Sequence, residues 1–352
     1  MSATTDVRPL AAEDWERVDG VPRIPLGDWI LEGFEWVQDH LGGAIDAVAD
    51  LTETTVDGLT DLLDGPAPLV TAAVLALVAW LAKDWKLGLG SFVGLAGVIG
   101  VEQWTNAMAT LSLVLVATLV ALVIGIPLGV LAARSDRFSR IVRPVMDLMQ
   151  TMPAFVWLVP VVMLFSIGSP PALVATVIFA LPPAVRLTEL GIRQVDAEVV
   201  EAGHAFGATP GQILRETQLP LALPTVMAGV NQVIMLALSM AVIAGLVGGG
   251  GLGGAVTSSI SRLDIGLGFE AGLSVVVLAV YLDRVTASAG GRTPGRGRLR
   301  TLLARRRATA DAGPSSAAAG SLSSTASGTP ATPATPATPA DPAASEREGA
   351  QA

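Results

Sequence analysis

Seven apolar stretches run through this sequence: Pro68–Ala82, Leu87–Val101, Ala107–Ala133, Val145–Ile167, Pro171–Val185, Leu221–Val247 and Leu267–Leu282. No other feature constrains the fold as much. In hydrocarbon every backbone N–H and C=O must be paired within the protein, which leaves helices and closed barrels as the spanning structures. A bilayer core of ~30 Å takes about 20 helical residues, and the longest stretches meet that length. Composition agrees: 51% of the 352 residues are hydrophobic and 15% are charged, against about 25% charged in a soluble domain. Mean hydropathy is +0.58. The expected class is an all-α, polytopic membrane protein.

The first, second and fifth stretches are short and must draw on their flanks. Lys83-Asp84-Trp85-Lys86 between the first two predicts a tight hairpin rather than one long helix. Seven spans is the reading, with six as the alternative. Lys and Arg set the orientation, because they accumulate on the cytoplasmic side of spans. Arg134, Arg137, Arg140 and Arg143 follow the third span, and a second basic group from Arg284 to Arg307 follows the last. Placing both inside also puts Lys83 and Lys86 inside and leaves Arg262 outside. Seven spans, N-terminus out and C-terminus in, satisfies every loop at once.

Several function classes fall away on residue content. There is no cysteine, and His40 and His204 are the two histidines, placed on opposite sides of the membrane. No metal site and no catalytic residue is expected. Lys83 and Lys86 are the two lysines and neither follows glycine, so the phosphate-binding pattern G-x-x-x-x-G-K-[ST] is absent. The formal net charge is −9, and residues 1–66 hold fifteen Asp/Glu against three Arg. Nucleic acid is not an expected partner of such a chain; a lipid bilayer is.

The organisation reads as three parts. Residues 1–66 form an acidic extracytoplasmic region; its start carries Asp6, Glu13, Asp14 and Glu16 where a signal peptide needs a basic and then apolar run. Within it, Ile30, Phe34, Val37, Leu41, Ile45 and Val48 recur at steps of three and four, which predicts an amphipathic helix from Trp29 to about Leu63. That helix lies on the membrane surface or packs against the rest of the chain. Residues 67–284 are the transmembrane domain. Residues 285–352 are basic and then rich in Thr, Pro and Ala, with four Thr-Pro-Ala triplets from Thr329 to Ala340, and are expected to be disordered.

The most informative segment is the cytoplasmic link at 186–220. Val195, Val199, Ala202 and Phe206 have helical spacing, and Gly207 then breaks it. A second short helix is predicted with Thr209 as N-cap, Pro210 at the first helical position and Gln212 closing a capping box, ending at Leu219-Pro220. A helix–glycine–helix elbow between two spans can dock into a partner and pass a push to both. It can equally be an interfacial loop without a partner.

The residues themselves carry a resemblance. Glu201-Ala202-Gly203, three residues, Gly207, nine residues, then Thr217-x-Leu219-Pro220 resembles the EAA loop of bacterial ABC-importer permeases, written Glu-Ala-Ala, three residues, Gly, nine residues, Ile-x-Leu-Pro. Gly203 and Thr217 depart from that pattern. From about Ile24 to Arg284 the chain looks like the permeases of glycine betaine/proline betaine importers. Phrases such as DLMQTMPAFVWLVPVVMLF and FGATPGQILRETQLPLALPTVMAGVNQ carry this likeness. The resemblance implies an ABC-importer permease in the bacterial cytoplasmic membrane. Its expected partners are a cytoplasmic ABC ATPase, an extracytoplasmic substrate-binding protein and a second copy of the chain. No cofactor is expected on this chain; ATP is used by the partner ATPase. Glu201, Ala202, Gly203, Gly207, Leu219 and Pro220 are the implied ATPase-coupling residues.

Other signals weigh less. Gly248–Gly254 contains G-x-G-x-x-G, but it follows a membrane span rather than a strand, so it reads as a flexible or re-entrant turn or an outer gate. Phe155 and Trp157 line a path for a quaternary cation or pack as ordinary apolar groups. Asn231 and Gln232 are further candidates for the path, because an amide facing lipid is costly. Gly125 and Gly129 form a GxxxG that predicts close helix packing. An ion-coupled secondary transporter is the alternative function. It calls for ionisable residues inside spans, where the fourth stretch offers Asp147.

Overall fold

The computed structural model describes residues 26–290. The first part of the acidic region and residues 291–352 of the basic, Thr/Pro/Ala-rich tail lie outside the described residues, whereas residues 285–290, expected to be disordered, continue the last described helix. Every regular element among the described residues is helical. Helix α1 (Leu26–Asp64) precedes a hairpin of α2 (Pro68–Ala82) and α3 (Trp85–Gly100), then the long α4 (Trp104–Arg134). Next come α5 (Asp136–Thr151), α6 (Ala154–Phe165) and α7 (Ser169–Arg193). The elbow holds α8 (Ala197–Ala205) and α9 (Pro210–Gln212), which runs through a π turn (Ile213–Gln218) into α10 (Leu219–Ala244). After a 3-10 turn (Gly245–Val247), α11 (Gly251–Arg262) and α12 (Ile265–Gly290) complete the order. Four of these helices are long and apolar enough to cross a membrane, and two bent pairs raise the count to six.

Helix α4 is central, and it packs on α7 through the glycine pair read from the sequence. A Cβ built on Gly129 lies 2.6 Å from Thr188 Cβ and from the Val185 carbonyl oxygen. One at Gly125 falls against Ala184. Such approach leaves no room for a side chain, and dispersion between the two backbones replaces the hydrophobic drive that lipid does not supply. Helix α10 closes on α7 in the same way, with Gly191 against Ala222 and Thr225, and Gly229 against Leu187. Leu111, Val114, Ala117, Ala121, Ala180 and Ala237 are buried in this seam.

Helix α1 has three faces. Thr52 and Val56 are buried toward the body of the protein. Asp28, Glu32, Glu35, Asp39, Asp46, Asp50, Glu53, Asp57 and Asp61 form an exposed acidic stripe. Trp29, Trp36, Val48, Leu51 and Leu62 form an exposed apolar one. The helix meets α2 at 102°.

The structure changes several sequence expectations. The stretch Val145–Ile167 is not one helix: α5 and α6 meet at 98°. Pro153 is the cause. Its ring steers Met152 out of the helical region, to φ −70° and ψ 134°, and it has no N–H to continue the ladder. Helix α7 continues beyond Val185 to Arg193, so residues 186–193 of the expected loop are helical. Leu219-Pro220 does not end a helix. The Leu219 N–H reaches back five residues to the Leu214 carbonyl, and this wider turn absorbs the proline, so α9 and α10 are continuous. Glu270 also lies inside the seventh apolar stretch, within α12, in addition to Asp147. The glycine run is a packed turn rather than a flexible one. Gly248, Gly250 and Gly251 have φ of 81°, 66° and 58°, and a Cβ on Gly253 would lie 2.6 Å from the Val242 carbonyl oxygen.

Candidate functional site

The elbow is built from the end of α7 to the start of α10. Asp196 caps α8, its carboxylate accepting from the Glu198 N–H at 3.0 Å. The helix closes with two bonds in reverse register: Ala208 N–H donates to the Gly203 carbonyl at 3.1 Å, and Gly207 N–H to the His204 carbonyl at 2.9 Å. That pair is a Schellman ending, and it requires the left-handed φ of 79° found at Gly207. A Cβ there would meet nothing within 4 Å. Gly207 is therefore demanded by backbone conformation and not by space.

Thr209 then starts the next helix with the predicted capping box. Its N–H donates to Gln212 Oε1 at 2.8 Å, and its hydroxyl oxygen accepts from the Gln212 N–H at 3.4 Å. Ile213 and Leu214 turn inward and are buried, Leu214 among Ile192, Ala222 and Val226 of α7 and α10. Gly203 faces Ile213, and a Cβ in its place would sit 3.2 Å from Ile213 Cγ1. Glycine at this motif position lets α8 close on the second arm.

The opposite face of α8 has no partner among the described residues. No residue of α8 is buried. Val199 and Ala202 are exposed, and Phe206 is 92% exposed. The helical spacing of Val199, Ala202 and Phe206 was legible in the sequence; that the stripe points away from the protein was not. Of the coupling candidates, Glu201, Ala202 and Gly207 are exposed at the elbow, Gly203 is half-buried beneath it, and Leu219 and Pro220 sit at its root.

An ionic clamp anchors that root, and sequence reasoning missed its centre. Glu189 is 4% exposed, and its Oε1 accepts from Ser139 Oγ at 2.7 Å and from Arg143 Nη2 at 2.9 Å. Arg193 Nε lies 2.9 Å from the same oxygen. Arg193 also donates to Asp136 at 2.7 Å and to the Ala132 carbonyl at 2.9 Å. The Arg193 hydrogen bond holds the Asp136 carboxyl below its usual range. Three helices, α4, α5 and α7, are thereby tied together one turn before the elbow begins. The signal was present as Glu189 and Arg193, an i,i+4 pair. Asp147 pairs with Arg186 beside it.

The path candidates are placed apart. Asn231 on α10 donates to Asp283 Oδ1 at 3.0 Å and accepts from Thr286 Oγ1 at 2.7 Å, joining α10 to α12. Gln232 is exposed. Phe155, on α6, is exposed, and Trp157 donates its indole N–H to the Met149 carbonyl at 3.3 Å. Helix α6 meets α10 at Met240 rather than at Asn231.

Residues 125–288 match the family described as "Binding-protein-dependent transport system inner membrane component". Among curated relatives, the chain is 49% identical over 278 residues to the glycine betaine/proline betaine transport system permease protein ProW of Escherichia coli, covering 79% of this chain and 78% of that one. It is 42% identical to the glycine betaine transport system permease protein OpuAB of Bacillus subtilis, over 80% of this chain and 99% of the relative. The glycine betaine/carnitine transport permease protein GbuB of Listeria monocytogenes is 44% identical, over 76% and 95%.

Proposed function

Given that the chain belongs to the binding-protein-dependent transport system inner membrane component family, we propose that it is the permease of an ABC importer for glycine betaine, proline betaine and related osmolytes. It is a multi-pass protein of the inner membrane and a transport subunit, making and breaking no bonds itself. The observation that carries the reading is the elbow. A capped helix with an unpartnered apolar stripe is joined through Gly207 to a helix that continues into the membrane. In this reading the stripe of Val199, Ala202 and Phe206 seats in a separate cytoplasmic ATPase, with Glu201 beside it. The Glu189 clamp keeps the root rigid, so closure of the ATPase moves α7 and α10 rather than a slack loop. ATP acts on that partner. An extracytoplasmic binding protein delivers the solute, and two copies of the chain present two elbows to two ATPase subunits.

The finer topology we propose is seven crossings with the N-terminus outside and the C-terminus inside. Contacts between ends that this topology sends to one side support it. Lys83 and Lys86 line the same cavity as Arg284, and Asp136 pairs with Arg193; all fall inside. Thr105 donates to Asp64 at 3.4 Å, and the Gly168 N–H to the Val247 carbonyl at 3.3 Å; these fall outside.

The test is co-purification of the chain with its ATPase, alongside ATP-dependent uptake of a panel of labelled quaternary amines in proteoliposomes supplied with the binding protein. We expect ATPase capture and uptake of betaines. Uptake that persists without the ATPase and follows a proton or sodium gradient would make the chain a secondary transporter.

A further inference from the structure

Away from the elbow, a cavity of about 560 Å³ opens between α3 and α12. Its mouth holds Lys83, Lys86 and Arg284, with Asp84 as the one carboxylate. The two lysines are all that the chain possesses. Neither has a carboxylate within 4 Å among the described residues. Arg284 reaches Asp283 at 3.9 Å and no closer. With Asp84 and Asp283 offsetting two of the three cations, the mouth carries one positive charge in excess, and the lysine ammoniums have no carboxylate partner among the described residues.

Below the mouth the cavity becomes an apolar groove. Gly90 and Gly94 form one wall, and Val276, Val277 and Val280 the other. Gly94 is the close approach, with a built Cβ 3.1 Å from Val277 Cγ1. Gly90 faces open space, so the groove is hollow where a side chain would fill it. Tyr281 lines the cavity with its hydroxyl donated to the Leu75 carbonyl at 3.1 Å. Val276 and Val280 are exposed, as groups facing hydrocarbon are in a membrane protein.

We propose that this cavity is a binding site for one anionic phospholipid. The headgroup phosphate sits on Lys83, Lys86 and Arg284, and the upper part of an acyl chain lies along Gly90 with the remainder in the bilayer. Cations gathered between membrane helices at an interface select anionic headgroups in this way. A zwitterionic lipid fits the groove and leaves the excess charge unanswered. A soluble anion answers the charge and leaves the groove empty.

Full-length protein in nanodiscs of equimolar phosphatidylglycerol and phosphatidylcholine is transferred to detergent, and retained lipid is counted by native mass spectrometry. The parent should keep one phosphatidylglycerol per chain, favoured over phosphatidylcholine by roughly fivefold, the worth of one net charge at the membrane surface. The variant Lys83→Gln/Lys86→Gln/Arg284→Gln should hold the two lipids about equally. Gly90→Leu, whose side chain enters open space, should hold neither. Adding millimolar inorganic phosphate should leave the parent's lipid in place. Equal retention of both lipids by the parent, unchanged selectivity in the charge variant, or displacement by phosphate would each overturn the proposal. All four substituted residues are exposed, so melting temperatures close to the parent's are expected. The parent's own selectivity decides the matter even where a variant is lost.

Discussion

Replacing Gly207 separates two ways in which the elbow could depend on that residue. Its φ of 79° belongs to the left-handed region, where a side chain costs about 1–2 kcal/mol. A Cβ there would touch nothing within 4 Å, so alanine and leucine should carry the same backbone cost within the permease itself. Asparagine tolerates this region better and should cost less. Helix α8 buries no residue, so little holds the elbow in shape once the Schellman bonds weaken. If the ATPase recognises only the observed shape, a cost of 1–2 kcal/mol lowers its apparent affinity by roughly 5- to 30-fold, in proportion to the competent fraction. The assay is titration of purified ATPase onto nanodisc-held Gly207→Ala, Gly207→Asn and Gly207→Leu, with ATP-driven betaine uptake in parallel and membrane level as the control. Gly250→Ala imposes a steeper backbone cost on the far turn, at φ 66° and ψ −152° where glycine is nearly obligatory, also in open space, and should leave ATPase affinity unchanged. An alanine variant that binds and pumps like the parent refutes the coupling role. An asparagine variant as weak as alanine refutes the backbone account and points to a side chain colliding with the partner.

Gly129→Val should destabilise the protein by about 1–3 kcal/mol, read as lower yield and a lower melting temperature, because no neighbour at 2.6 Å can retreat without moving α7. Glu189→Gln keeps an acceptor for Ser139 but strips Arg143 and Arg193 of their shared charge. A loss of about 1–3 kcal/mol is expected, seen as faster hydrogen exchange in α5 and the end of α7, and unaltered exchange would count against the clamp. With no native cysteine to remove, single cysteines at Ser261 and Thr209 test topology: Ser261 should react with an impermeant thiol reagent in intact cells, and Thr209 only after permeabilisation. Ser139 would not serve as an inner site, being buried against Glu189, so exposed Arg137 takes its place.

The parts legible in the sequence were those written as local pattern. Apolar runs marked the long helices, Lys83-Asp84 marked the hairpin, and Thr209-Pro210-x-Gln212 marked a helix start found with both of its hydrogen bonds. The parts missed are those in which distant residues override local preference. Arg186, Glu189 and Arg193 look like the beginning of a loop when hydropathy is followed along the chain. Charged partners on α5 (Asp136, Arg143 and Asp147) neutralise all three, and the helix continues. Leu219-Pro220 looks like an ending because an ideal α-helix has no place for the proline, whereas a π turn does. The break at Pro153 was visible as a residue but hidden by its setting. The apolar groups of α5 and of α6 read as one run although they belong to helices at right angles. Phe206 illustrates a further limit: periodicity identifies an apolar stripe but not whether it faces inward.

The unbroken path from Pro210 to Val247 has a mechanical consequence. Its 38 residues make a rod of roughly 57 Å, with the elbow at one end and the glycine turn at the other. Rods multiply angles into distances. A tilt of about 5° about a point near Gly229, roughly 27 Å from Val247, sweeps that end through about 2.4 Å. The packed backbones at Gly245, Gly249 and Gly253 lie at the end that is swept. A lever needs a fulcrum, and the close contacts of Gly191 and Gly229 between α7 and α10 lie along the shaft where one belongs. Bulk added at those two positions would shorten the stroke without touching either end of the arm.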